Sequence, residues 1–281
     1  MSSPQPQDPR PPSQPDPRLG KASHYDRDET VSDLQSFYAF LPHVPSTSVQ
    51  RAPAGGWPGI TCETLSSQGI IKTPEVIALL QHLPYISGPR PWIMTAAQAL
   101  DYRIILEPER LTRRNKPGWL YDVAADDTDD DGTDRDGFPP WTVRLTAGTD
   151  REGHAYILDT SDGTVVRHCV TGIGGQYVAT YAGDDVRAWR DRLCDPEIWT
   201  FRGLLAEWRT SYRELNVFGI PQPLDDDEGV LGWPDIMERH TSGDEGEVVA
   251  GIYREHGWPD AYNKEACIRA LREWWRARET G

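Results

Sequence analysis

The sequence predicts an α+β fold, a packed region of helices and a small group of neighbouring strands behind a disordered Pro-rich tail, and three observations carry that reading. Between His154 and Val170, two β-rich runs flank Ser161-Asp162-Gly163, a turn signal that joins them as a hairpin. From Thr200 onward, Phe201, Leu204, Leu205, Trp208, Tyr212 and Leu215 recur at the spacing of a helix with one core-facing stripe. At Thr73-Pro74-Glu75 a capping hydroxyl precedes Pro at the first helical position, and Val76, Ile77, Leu79, Leu80 and Leu83 follow before Pro84.

Residues 1–30 read MSSPQPQDPRPPSQPDPRLGKASHYDRDET. Repeated Pro removes backbone donors, and the shortage of large apolar side chains leaves little burial to offset chain entropy. The expectation is a disordered tail whose residues 1–25 can be deleted at almost no cost in stability. Its Pro spacing also suits a polyproline ligand, but a plain spacer is the favoured reading. The packed domain is expected over 31–281. Val31, Leu34, Phe37, Tyr38 and Leu41 open it at helical spacing, with Thr30 or Ser32 as N-cap and Pro42 as stop.

Beyond the loop Ala52–Gly59 and the helix from Thr73, the stretch Asp122–Asp136 holds eight Asp and one Arg. Such a segment repels itself, which predicts an acidic disordered insertion at about 122–137. Trp141–Leu145, His154–Leu158 and Thr164–Val170 read as strands. Helices are expected around Asp184–Leu193, from Thr200, over Glu247–Glu255, and from an Asn263 cap through Cys267, Leu271, Trp274 and Trp275.

A formal charge of -15 opposes binding to phosphate backbones or anionic lipid, both of which recruit Lys and Arg, so neither nucleic acid nor membrane is an expected partner. The dense basic stretch Arg110, Arg113, Arg114 and Lys116 reads as a solvated loop. With 37% apolar residues the core depends on aromatics, 11 Trp and 11 Tyr, which bury much surface each. Cys62, Cys169, Cys194 and Cys267 are widely separated, with no C-x-x-C pair, as expected of free thiols in a reducing compartment. There is no apolar signal region near Met1 and no long apolar run, so the expected compartment is the cytoplasm, or cytoplasm and nucleus.

The search for chemistry is negative. Asp127, Asp129, Asp131 and Gly132 fit positions 1, 3, 5 and 6 of a calcium loop, but Phe138 stands where the closing Glu belongs, Asp134 stands at a usually apolar position, and Pro139-Pro140 block the exiting helix. His154 and His168 sit on the two arms of the hairpin, where two histidines without a third ligand read as ordinary sheet residues. His82 and His256 read as packing or capping residues at helix ends. Gly172-Ile173-Gly174-Gly175 lacks the spacing of either phosphate-binding loop. No nucleophile elbow or HExxH is present. The expectation is no catalytic residue, no metal and no cofactor.

HAYILDTSDGTVV, a variable connector and WTFRGLLAEW resemble the pattern of SUKH-type domains, over roughly residues 139–216. In that superfamily, which includes fungal cell-wall-assembly regulators and bacterial toxin-immunity proteins, a strand ending in Asp, a Gly turn and a second strand precede a helix that opens Ser/Thr-Phe. VIALLQHLPYI and IYREHGWPDAYNKEACIRALREWW are also similar to segments of a set of fungal proteins associated with the superfamily. The resemblance implies a curved, mostly antiparallel sheet with packed helices, used to bind other proteins. The expected function is therefore a non-catalytic intracellular protein-interaction or regulatory module, with a protein partner that is basic where the acidic surface makes the contact. The alternative is an enzyme or small-molecule-binding protein whose site is not visible in sequence motifs. Neither reading assigns an oligomeric state.

Overall fold

The computed structural model describes residues 15–88, 91–105, 138–148, 153–169, 179–193, 197–221 and 236–279. The chain opens with α1 (Arg27–Phe40), β1 (Val49–Gln50), α2 (Cys62–Ser67), α3 (Pro74–His82) and β2 (Tyr85–Ile86), the antiparallel partner of β1. Next come β3 (Trp92–Met94), β4 (Ala97–Ala99), the single turn α4 (Tyr102–Ile105), β5 (Thr142–Arg144) and β6 (Thr146–Ala147). The hairpin is β7 (His154–Asp159) and β8 (Thr164–Cys169), followed by a 3-10 helix at Ala188–Arg192, β9 (Ile198–Thr200) and α5 (Phe201–Arg213). β10 (Val217–Phe218) and β11 (Met237–Glu238) pair as a ribbon before α6 (Gly243–Glu255) and α7 (Lys264–Glu279). The architecture is α+β, and every strand pairing among the described residues is antiparallel.

Two sheets meet at one kink. β3-β4-β6 and β5-β7-β8-β9 are separate ladders, but β5 and β6 are consecutive and joined by Leu145, whose N–H donates to Tyr156 O at 2.8 Å and whose carbonyl accepts from Leu100 N at 3.1 Å. One residue later the Thr146 hydroxyl replaces a backbone acceptor, taking the N–H of Tyr156 at 2.9 Å, and the strand turns from one sheet into the other.

Helices cover the sheet because the strands alternate. Tyr156, Leu158 and Val165 face the main core, where the Tyr156 and Trp208 rings meet edge to face at 4.8 Å and Phe37 of α1 lies 5.5 Å from Trp208. The opposite face carries Ile157 and Val166 into a smaller cluster with Phe138, Trp189 and Leu193. α5 takes the predicted stripe and the predicted cap, Thr200 Oγ1 accepting from Gly203 N at 3.0 Å. α3 starts as expected, Thr73 Oγ1 accepting from Val76 N, and α7 follows Asn263, whose Oδ1 accepts from Ala266 N at 3.2 Å. α6 begins one turn earlier than expected, at Gly243.

Three expectations are corrected. The α1 cap is Asp26, which accepts from Glu29 N at 2.8 Å with Asp28 and Glu29 in the first turn; Thr30 instead lies inside the helix and donates to Asp26 O. The tail is also shorter than 30 residues, since α1 starts at Arg27 and Asp16 is buried against the domain. Burial of a paired carboxylate supplies the anchorage that apolar content did not; residues 1–14 lie outside the described residues. Finally, the helix expected over Asp184–Leu193 is a single 3-10 turn. Asp185 Oδ1 accepts from Arg187 N at 2.8 Å, a local side-chain bond that competes with the α-helical ladder, and Leu193 N reaches back only to Arg190 O.

Candidate functional site

The turn of the β7–β8 hairpin is built by two aspartates, each of which folds the chain with one oxygen. Asp159 Oδ1 accepts from Ser161 N at 2.8 Å and from its hydroxyl at 2.6 Å. Asp162 Oδ1 accepts from Thr164 N at 3.0 Å and from its hydroxyl at 2.7 Å. These are Asx turns, and Gly163, at φ +74°, takes the left-handed position inside the second.

The second oxygens point inward and collect on one residue. Arg190, from the 3-10 helix, is wholly buried; its Nη2 donates to Asp159 Oδ2 at 2.8 Å and to both oxygens of Asp162 at 2.9 Å. Trp189 Nε1 donates to the same Asp159 Oδ2 at 3.0 Å. Nη1 donates to Asp16 Oδ2, and the Tyr181 hydroxyl donates to that oxygen as well. The three carboxylates are 1%, 0% and 5% exposed for Asp16, Asp159 and Asp162, so bulk solvent screens the cluster weakly.

Three carboxylates around one guanidinium leave an excess of negative charge in a dry place. Burial first, then the neighbouring Asp159, raises the Asp162 carboxyl above the usual carboxylate range, with Arg190 opposing both. Burial works against the charge of Arg190, but Asp159 and Asp162 outweigh it and raise its affinity for the proton. Burial and then the bond to Asp16 push the Tyr181 hydroxyl well up, so it stays a donor. The geometry can hold an arginine, a carboxylate and the segment that bears it.

Residues 15–26 lie over this turn. Close approach requires Gly163, because a Cβ there would stand 2.1 Å from His24 O and 2.8 Å from Tyr25 N. Arg18 pairs with Asp191 and donates to Thr180 Oγ1 at 2.9 Å, and Tyr25 donates to Glu75 at 3.0 Å. The segment is held at three points.

The structure separates the two hairpin histidines. Ala155 pairs with His168 and His154 with Cys169, so a one-residue offset puts the imidazoles on opposite faces, His154 beside Tyr156 and His168 against Phe138. Burial and then Arg167 lower the first; burial and then Arg144 lower the second. His82 Nδ1 bonds Ala78 O at 2.7 Å and His256 Nδ1 bonds Ile252 O at 2.8 Å, the helix-end contacts expected of them. Cys62 and Cys267 are free thiols, the second pushed up to about 11 by burial. No group of three or more His, Cys, Asp or Glu side chains among the described residues is arranged to hold a metal ion. The calcium-like residues Asp127, Asp129, Asp131, Gly132 and Asp134, the insertion at 122–137, Gly172–Gly175, Cys194 and the basic stretch 110–116 lie outside the described residues, whereas Phe138 is buried in the smaller cluster.

Sequence reasoning missed Asp16, Asp159, Asp162, Tyr181 and Arg190 as a group. A signal was present: two Asp three residues apart, each followed two positions later by Ser or Thr, specify two Asx turns and leave one oxygen of each carboxylate in need of a donor. No family model, no curated protein and no solved structure matches the chain. Among the described residues, no helix is long and apolar enough to cross a membrane.

Proposed function

We propose that the chain is a non-catalytic protein-interaction or regulatory module with a SUKH-like fold. The observation that carries this reading is the clamp at Arg190: a buried charged pocket beside the hairpin turn holds a Pro-containing turn segment through side-chain contacts. That is the task of a peptide-binding domain, performed here on the domain's own chain. The SUKH-like part of the reading is supported by the order of parts, a strand ending at Asp159, the Gly163 turn, β8, and a helix opening Thr200-Phe201. A net charge of -15 favours a basic protein partner, and four widely spaced cysteines favour the cytoplasm.

The reading is tested by affinity capture of the tagged full-length chain at low and high salt, with quantitative mass spectrometry. A stoichiometric protein partner that is lost at high salt is the expected result. A blank at both salts, accompanied by thermal stabilisation of the chain by a metabolite, would replace the module reading with a small-molecule one.

A further inference from the structure

Resting on the interaction-module reading, the clamp also carries a sequence specificity. Asp16-Pro17-Arg18 meets Arg190-Asp191 with opposite charges in register, Asp16 on Arg190 and Arg18 on Asp191. Arg18 lies 5.1 Å from the centroid of the Tyr181 ring, and the hydroxyl of that ring bonds Asp16, so one tyrosine touches both charged residues of the tripeptide. The receiving wall is braced independently of the segment. Asp191 Oδ2 accepts from Thr180 N at 2.8 Å and from Tyr181 N at 3.0 Å, and Arg190 is held by Asp159 and Asp162 as well as by Asp16.

The tripeptide encodes its own shape. Asp16 O accepts from Leu19 N and Gly20 N, both at 3.1 Å, and Asp16 Oδ1 accepts from Arg18 N at 2.9 Å. Pro17 stands at the second position of that turn, where its fixed φ is favoured. A plain acidic peptide would bring a further negative charge to a pocket already rich in carboxylates, whereas Asp-Pro-Arg brings its own cation.

We propose that this pocket is a recognition site for peptides bearing Asp-Pro-Arg, and that residues 16–18 are its built-in occupant, displaced when a competing segment binds. The sequence contains the tripeptide a second time, at Asp8-Pro9-Arg10. There it is followed by Pro11 and Pro12, which have no N–H to donate to the Asp carbonyl, so the copy at 16–18 is the better occupant. Tethering gives the occupant an effective concentration on the order of 1 mM. A free peptide with a Kd of about 10–100 µM for the empty pocket therefore binds the wild-type chain roughly 10- to 100-fold more weakly.

The test uses a fluorescein-labelled peptide of residues 12–22 and fluorescence anisotropy. In the full-length chain, Asp8→Ala, Arg10→Ala, Asp16→Ala and Arg18→Ala together vacate the pocket. Binding to this variant, at least about 10-fold weaker binding to wild type, and loss of binding when the peptide carries Asn for Asp16 or Ala for Arg18 are expected. No binding to a variant with wild-type circular dichroism, or equal binding by a peptide with the two charged residues exchanged, overturns the proposal. If the variant does not fold, a protease site inserted between Gly20 and Lys21 of the wild-type chain replaces it. The cut fragment then exchanges with labelled peptide if the proposal holds, and dissociates without any rebinding if it does not. A peptide that fails in both formats while the captured partner is retained removes the pocket and leaves the module reading standing.

Discussion

The two faces of the β7–β8 hairpin are stabilised by different physics. On one face Tyr156, Leu158 and Val165 enter an aromatic core with Phe37, Trp208 and Tyr212; on the other, Ile157 and Val166 give way at the turn to Asp159, Asp162 and Arg190. The aromatic face gains by removing apolar area from water, a non-directional contribution that tolerates small shifts and is indifferent to pH. The charged face gains only while every partner is present, because each buried charge left alone carries its full desolvation cost. One side of the sheet is robust and the other conditional, and the conditional side is the one that holds the N-terminal segment.

Substitutions separate the two faces. Trp208→Ala removes the ring that joins Phe37 to Tyr156 and should cost roughly 3–5 kcal/mol in denaturant unfolding, unchanged between pH 5 and pH 8. Arg190→Met, similar in bulk, should cost about 3–5 kcal/mol at neutral pH by leaving three carboxylates without their cation. That cost should shrink as acid neutralises them; a pH-independent cost would mean that the charged face behaves as an ordinary core. Removing residues 1–20 should cost about 1–3 kcal/mol, through loss of the Asp16 and Arg18 contacts, and a melting curve identical to that of the full chain would break the comparison at its weakest point.

The smallest expected effect is a change of slope. The folded state raises the Asp162 carboxyl above its unfolded value, so its contribution to stability is fully present below the unfolded pKa and is lost as pH rises through the folded one. Asp162→Asn removes this dependence. The penalty of the substitution should therefore fall as pH is raised from about 4 toward neutrality, the reverse of what an ordinary surface ion pair gives. Parallel unfolding curves against pH for the two proteins would contradict the assignment.

What was legible in the sequence is what is encoded locally. Thr73-Pro74, the stripe from Phe201 to Tyr212 and Ser161-Asp162-Gly163 each specify an element within one or two turns of chain, and each formed where expected. The clamp was not legible because its members are far apart: Arg190 is 28 residues from Asp162 and 174 from Asp16. Asp162 reads as a turn residue and Asp159 as the end of a strand, and nothing local reveals that their other oxygens meet a buried guanidinium. The segment before Arg27 was judged by apolar content, and a chain anchored by charge escapes that measure. The histidine pair shows the opposite limit, since proximity along the hairpin was visible but the one-residue register that places the rings on opposite faces was not.

The separation of 174 residues between Asp16 and Arg190 also sets a clock during synthesis. At about 5–20 residues per second, the N-terminal segment is made on the order of 10–35 s before the arginine that receives it. Throughout that interval Asp16-Pro17-Arg18 is offered to the surroundings without its cis partner. The motif is therefore exposed on the nascent chain ahead of the pocket that will later cover it.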